Sequence, residues 1–135
     1  NMNINFEFLE NWNFEKELPK NIRTNTIIKK YNNYNLHLKK NNINKDKYII
    51  EKYLSDNKYS IVKNAFPYNI DSNMQHYVLW IHPCYINKIT NKEICLIIIN
   101  KMKEINYDEY FCFENHINAK SILGVPHFQV FYKKC

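Results

Sequence analysis

Glycine is almost missing from this chain: Gly124 is the only one in 135 residues. That excludes the glycine-rich loops that cradle phosphates or dinucleotides, and no G-x-S-x-G nucleophile elbow or H-E-x-x-H helix is present. Arginine is equally scarce, with Arg23 the single example. Surfaces that read base sequence lean on arginine forks, so the cations here suit phosphate attraction better than base readout. The four cysteines, Cys84, Cys95, Cys112 and Cys135, form neither a C-x-x-C pair nor a zinc spacing. No metal and no cofactor is expected. Cys95 falls in a helical pattern and Cys112 in a strand pattern, where free buried thiols are expected. No apolar run is long enough to span a membrane and no signal peptide is evident, which predicts a reducing, cytoplasmic setting without a membrane partner.

The chain is rich instead in lysine, asparagine, isoleucine and tyrosine. Hydrophobic residues make up 45% and aromatics 16%, enough for one folded domain with an aromatic-filled interior. The net charge of +6 attracts anions. An AT-rich genome writes lysine into tolerant positions, however, so the charge by itself is a weak pointer. The expected organisation is a single domain over 1–135. A mostly helical part over 1–57, with a mobile basic loop at 35–47, precedes a sheet-and-helix core over 58–135.

Phe6, Leu9, Trp12 and Phe14 space an amphipathic helix over 3–18, and a short helix is expected around Thr26–Tyr34. Ile49, Ile50, Tyr53 and Leu54 predict another over 46–54. Strands are expected at 59–62, 74–81, 107–114 and 126–133. Thr90-Asn91-Lys92-Glu93 is a capping box, with Ile89 and Ile94 at the staple positions. The helix it opens, 90–106, carries Ile94, Ile97, Ile98, Met102 and Ile105 on one stripe. The pattern predicts an α+β fold, an antiparallel sheet with helices packed on one face.

The most suggestive stretch runs from Phe113 to Tyr132. Its alternation puts His127, Gln129 and Phe131 on one face of a strand and Phe128, Val130 and Tyr132 on the other. Gly124 and Pro126 just upstream mark a turn or a close backbone approach. In the middle strand His76, Val78 and Trp80 share a face, so His76 faces His127 across the sheet if the two strands pair.

These landmarks resemble the family of the fungal N-acetylglucosamine-induced protein 1, a domain of unknown function. That family's N-D-F-P-Y, H-x-V-x-W, W-F-x-N and K-S-I-x-x-V-P-H-F-H-V segments stand here as Asn64–Tyr68, His76–Trp80, Cys112–Asn115 and Lys120–Val130. Gln129 replaces the second histidine and Ala65 the acidic turn residue, which bears against any chemistry needing two imidazoles on that strand. Histidine-triad (HIT-like) nucleotide hydrolases and transferases are a remoter likeness, through Val125-Pro126-His127-Phe128-Gln129. That likeness implies His127 as a nucleophile toward phosphorus, with Gln129, Asn115 and Ser121 as phosphate contacts.

Two readings follow. In the first, a His-centred pocket holds a phosphorylated, nucleotide-like small molecule, with slow or no turnover. His127 is its catalytic residue, and His76, Asn115, Ser121, Gln129, Trp80 and His116 its ligand contacts. In the second, the same residues define the fold of a non-catalytic binding or adaptor domain, and the lysine-rich loop meets RNA or protein without sequence preference. Convergence of His76, Asn115, Ser121 and His127 on one concavity would favour the first.

Overall fold

Alternating stretches form one antiparallel sheet in the computed structural model, which describes residues 3–12, 22–114 and 124–135. β1 (Tyr59–Lys63), β2 (Met74–Ile81), β3 (Glu109–Phe113) and β4 (His127–Lys133) lie in the order β1-β2-β4-β3. The register sets His76 opposite Phe131, Val78 opposite Gln129 and Trp80 opposite His127. Side chains alternate along a strand. His76, Val78, Trp80, His127, Gln129 and Phe131 therefore share one face, and Tyr77, Leu79, Ile81, Val130 and Tyr132 the other.

The second of these faces is covered by α4 (Asn91–Glu104). Thr90 caps it through the expected box, its side chain accepting from the Glu93 N–H at 3.1 Å. Ile94 and Ile98 are buried against Tyr77, Leu79, Ile81, Val130 and Tyr132, while Ile97, Met102 and Ile105 pack half-buried around them. The Tyr132 hydroxyl donates to the Ile98 carbonyl at 2.7 Å. Asn106 ends the helix with φ 59°. The Asn106 and Tyr107 N–H groups bond back to Lys103 and Met102, the Schellman arrangement usually built on glycine. Asparagine takes that role in a chain that has almost no glycine.

The His76 face is covered too, so helices lie on both faces of the sheet and not on one. α1 (Phe6–Asn11) lays Phe6 and Leu9 against Met74, Phe113 and Phe131. α3 (Lys45–Ile49) and a π-turn (Ile50–Leu54) lay Ile49 and Leu54 against Val78, Trp80 and Val125. The one-face expectation fails because both faces of β2 and β4 are buried, and the unbroken apolar run Tyr77–Ile81 in β2 is the pattern of a strand packed on each side.

The mobile basic loop expected at 35–47 is mostly helix. α2 runs over Asn25–Lys40, capped by Thr24 and closed by a second Schellman arrangement in which Asn42 has φ 54°. Its inner side continues through Tyr31, Tyr34, Asn35 and Leu38, the last of them buried. Asparagines between those residues masked the period. The helix expected over 3–18 is seen at Phe6–Asn11, and its remainder past Trp12 lies outside the described residues. All four cysteines are free, but Cys95 is exposed and Cys112 half-buried, because Cys95 sits one residue off the inward stripe of α4.

Candidate functional site: a buried histidine network and a tyrosine-lysine edge

β2 carries His76 into the middle of its face, between the two apolar clusters. The ring is 4% exposed. It stacks on Phe131 at 4.2 Å between ring centres and leans on Tyr68 at 4.5 Å. The Tyr68 N–H donates to Nδ1 at 3.1 Å, so Nδ1 holds the lone pair and a neutral ring carries its proton on Nε2. Nε2 donates to Gln129 Oε1 at 2.6 Å. Asn64 Nδ2 donates to the same oxygen at 3.1 Å. Asn64 Oδ1 accepts from the Phe66 N–H at 2.8 Å, an Asx turn that bends the chain into Phe66-Pro67-Tyr68. Burial pushes the imidazole pKa down to about 3, and the nearby Arg23 cation adds to that, against the Gln129 bond, which favours protonation. His76 is thus a neutral imidazole with both nitrogens engaged.

His127 sits at the other end of this face. It is 6% exposed, its ring 4.9 Å from Trp80, and Nδ1 lies 2.9 Å from the Val125 carbonyl. That carbonyl can only accept, so Nδ1 carries the proton. Trp80 stacks on Tyr53 at 5.7 Å with 10° between planes. Its indole N–H is buried with no hydrogen-bond partner among the described residues. Gly124 explains the close approach here, since a Cβ would stand 2.0 Å from Asp46 Oδ2.

The structure therefore joins His76 to Gln129 and Trp80 to His127 as two neighbouring groups on one face. His76 does not meet His127, because the register sets it beside Phe131. Asn115, His116 and Ser121 lie outside the described residues. His37 is exposed on α2, and His82 Nδ1 accepts from the Cys84 N–H at 3.1 Å. Burial raises the Cys112 thiol pKa, with Cys95 adding to it, which disfavours a thiolate nucleophile at that position. Among the described residues no group of three or more histidine, cysteine or acidic side chains is arranged to hold a metal ion. No helix among them is long and apolar enough to cross a membrane. An open groove lined by Asn3, Asn5, Glu7, Phe8, Asn11 and Trp12 lies along α1, apart from the histidines.

Sequence reasoning missed Asn64 as the third member of the network, and it missed the surface formed by α2, α3 and the π-turn. Arg23 donates from Nε to the Phe66 carbonyl at 2.7 Å and holds its guanidinium 4.7 Å from the Tyr68 ring. Lys45 donates to Tyr31 Oη and Asn35 Oδ1, and its Nζ lies 4.9 and 5.8 Å from the Tyr31 and Tyr34 rings. Lys52 donates to Tyr48 Oη at 3.1 Å and lies 5.4 and 5.5 Å from the Tyr48 and Tyr53 rings. The Tyr48 bond raises the Lys52 pKa, more than partial burial lowers it. None of the three cations has a carboxylate within ion-pair distance among the described residues. The sequence signal was available: residues 22–45 hold six cations and no acid.

The fold is similar to that in the crystal structure of HTC1, with a TM-score of 0.58 and 15% identity, over 86% of this chain and 77% of that one. At that identity the likeness is one of fold. No curated protein matches. Neither finding shows the histidine-triad likeness. The profile described as “Protein of unknown function (DUF3605)” matches residues 6–133, in keeping with the domain-of-unknown-function resemblance read from Asn64–Tyr68, His76–Trp80 and Lys120–Val130, and the chain belongs to that family.

Proposed function

We propose that this protein is a non-catalytic binding domain whose α2–α3 surface takes an anionic partner. The carrying observation is the charge segregation: six cations without an acid over 22–45, with Arg23, Lys45 and Lys52 resting on aromatic rings and, among the described residues, on no carboxylate. A cation held over a ring keeps its full charge for an incoming anion, whereas a salt bridge would spend it internally. The His76–Gln129–Asn64 network supports the same reading. Its groups satisfy one another, so they specify the fold and leave His76 without a nitrogen free for a substrate. The test is binding to a fluorescent polyanion over a salt series, with a straight fall of log affinity against log salt as the expected result. Absence of binding near ~50 mM salt would remove the proposal.

A second reading keeps the histidine end of the sheet as a site for a phosphate-bearing small molecule, nucleotide-like, with slow turnover at best. One observation favours it: the buried Trp80 N–H, next to His127, has no acceptor among the described residues, and a phosphate oxygen would supply one. A thermal-shift and turnover panel of nucleotides, dinucleoside polyphosphates and sugar phosphates tests it. A rise in melting midpoint that is lost in both His127→Ala and Trp80→Phe supports the site. Silence across the panel leaves the N–H as an unsatisfied core donor.

A further inference from the structure

We infer that the anionic partner is a single-stranded nucleic acid, bound along a ribbon of rings and cations on α2, α3 and the π-turn. The inference rests on the binding-domain reading above and adds the partner's class to it. The ribbon runs Lys45, Tyr34, Tyr48, Lys52, Tyr53. Lys45 lies 5.8 Å from the Tyr34 ring, and Tyr34 and Tyr48 are 5.7 Å apart. Lys52 spans Tyr48 and Tyr53, and Tyr53 closes the series by stacking on Trp80.

Each member keeps something to offer. Tyr34, Tyr48 and Tyr53 are half-buried; Tyr53 is held against Trp80, and Tyr34 and Tyr48 keep part of their surface open to solvent. An ammonium has three donors. Lys52 turns donors to Tyr48 and Tyr53, and Lys45 to Tyr31 and Asn35, so each keeps one. Rings fixed in place give bases a stacking surface at little cost in side-chain entropy, and Lys45 and Lys52 beside them offer charge to the connecting phosphates. Lys29, Lys30, Lys39 and Lys40 stand exposed on α2 and add to the positive field of this region.

The alternatives fit less well. Duplex bases are stacked inside the helix and offer the tyrosines nothing, and the one arginine is already tied to the Phe66 carbonyl and the Tyr68 ring. An acidic protein would answer the lysines but leave the row of rings unused. The acids closest in sequence do not neutralise the row. Asp46 is turned against Gly124, and Glu51 makes no ion pair with it among the described residues.

The experiment measures anisotropy of the full chain with a labelled single-stranded oligonucleotide, its duplex and inorganic polyphosphate. Tyr48→Leu, Tyr48→Phe and Lys52→Gln are compared with wild type, each checked for an unchanged melting transition. Tyr48→Leu is expected to weaken single-strand binding by about five- to a hundredfold, while Tyr48→Phe holds it within about twofold. Polyphosphate binding should ignore Tyr48→Leu and weaken in Lys52→Gln. Single-strand affinity indifferent to Tyr48→Leu, or duplex bound as tightly as single strand, overturns this inference while the polyanion surface stands. Failure to bind any of the three at low salt overturns both.

Discussion

The two faces of the sheet are built from different materials. The α4 face is a continuous aliphatic and tyrosine layer, in which Ile94 and Ile98 meet Leu79, Ile81 and Val130. The opposite face is interrupted. Its apolar clusters around Phe131 and around Trp80 are separated by His76, Gln129 and Asn64. An aliphatic layer tolerates any packing of about the right volume, whereas a buried polar network accepts one register only, since a slip leaves its donors unmatched. One face therefore supplies bulk stability, and the other defines how the N-terminal helices seat.

Substitution sharpens the contrast. The largest effect is expected from His76→Leu, which leaves the Tyr68 N–H without its acceptor and removes one donor from Gln129; a loss of about 3 kcal/mol is expected, read by urea unfolding at pH 7. The loss should depend on pH in a definite direction. In the unfolded chain His76 takes up a proton below about pH 6.5, while in the fold it stays neutral until about pH 3. Wild-type stability from this group is thus intact above pH 6.5 and lost as pH falls toward 3, by at most about 1.4 kcal/mol per unit. The Leu variant lacks that slope, so the gap between the two proteins should narrow from pH 7 to pH 4. A constant gap would show that the buried ring titrates normally.

On the other face, Ile98→Leu is a larger change of shape than of chemistry and should cost less than about 1.5 kcal/mol. A cost equal to that of His76→Leu would erase the distinction between the faces. The smallest effect is expected at the edge of the α4 layer, where Thr90→Ala removes the cap and should cost about 1 kcal/mol with no pH dependence. An unmoved melting midpoint would mean that Glu93 and packing hold that turn alone.

How much was legible follows the same division. Alternation located β2 and β4 and named their faces, and the capping box located α4, because those signals are local and period-bound. His127, Gln129 and Phe131 were correctly set on one side of a strand. Pairing was not legible: nothing in the sequence sets Trp80, and not His76, opposite His127. The network was half legible, since His76 and Gln129 were candidates while Asn64, separated from Gln129 by 65 residues, entered only as part of a turn. The basic segment was misjudged because asparagine-rich sequence reads as loop. Here asparagine replaces glycine at the C-terminal caps of α2 and α4, at Asn42 and Asn106.

The strand order has a consequence for synthesis. β4 is the latest of the four strands in sequence, yet it lies inside the sheet, and β3 pairs with β4 alone among the described strands. A nascent chain that has emerged through Phe113 can form the β1–β2 ladder and α4, but β3 has no strand to bond and one edge of β2 stays open. At that stage His76 lacks Gln129 and α4 lacks Val130 and Tyr132. Closure waits for residues 127–133 and then completes both faces together. Such a chain is expected to spend its growth with an apolar strand edge unpaired, the state in which edge-to-edge aggregation and chaperone capture compete with folding.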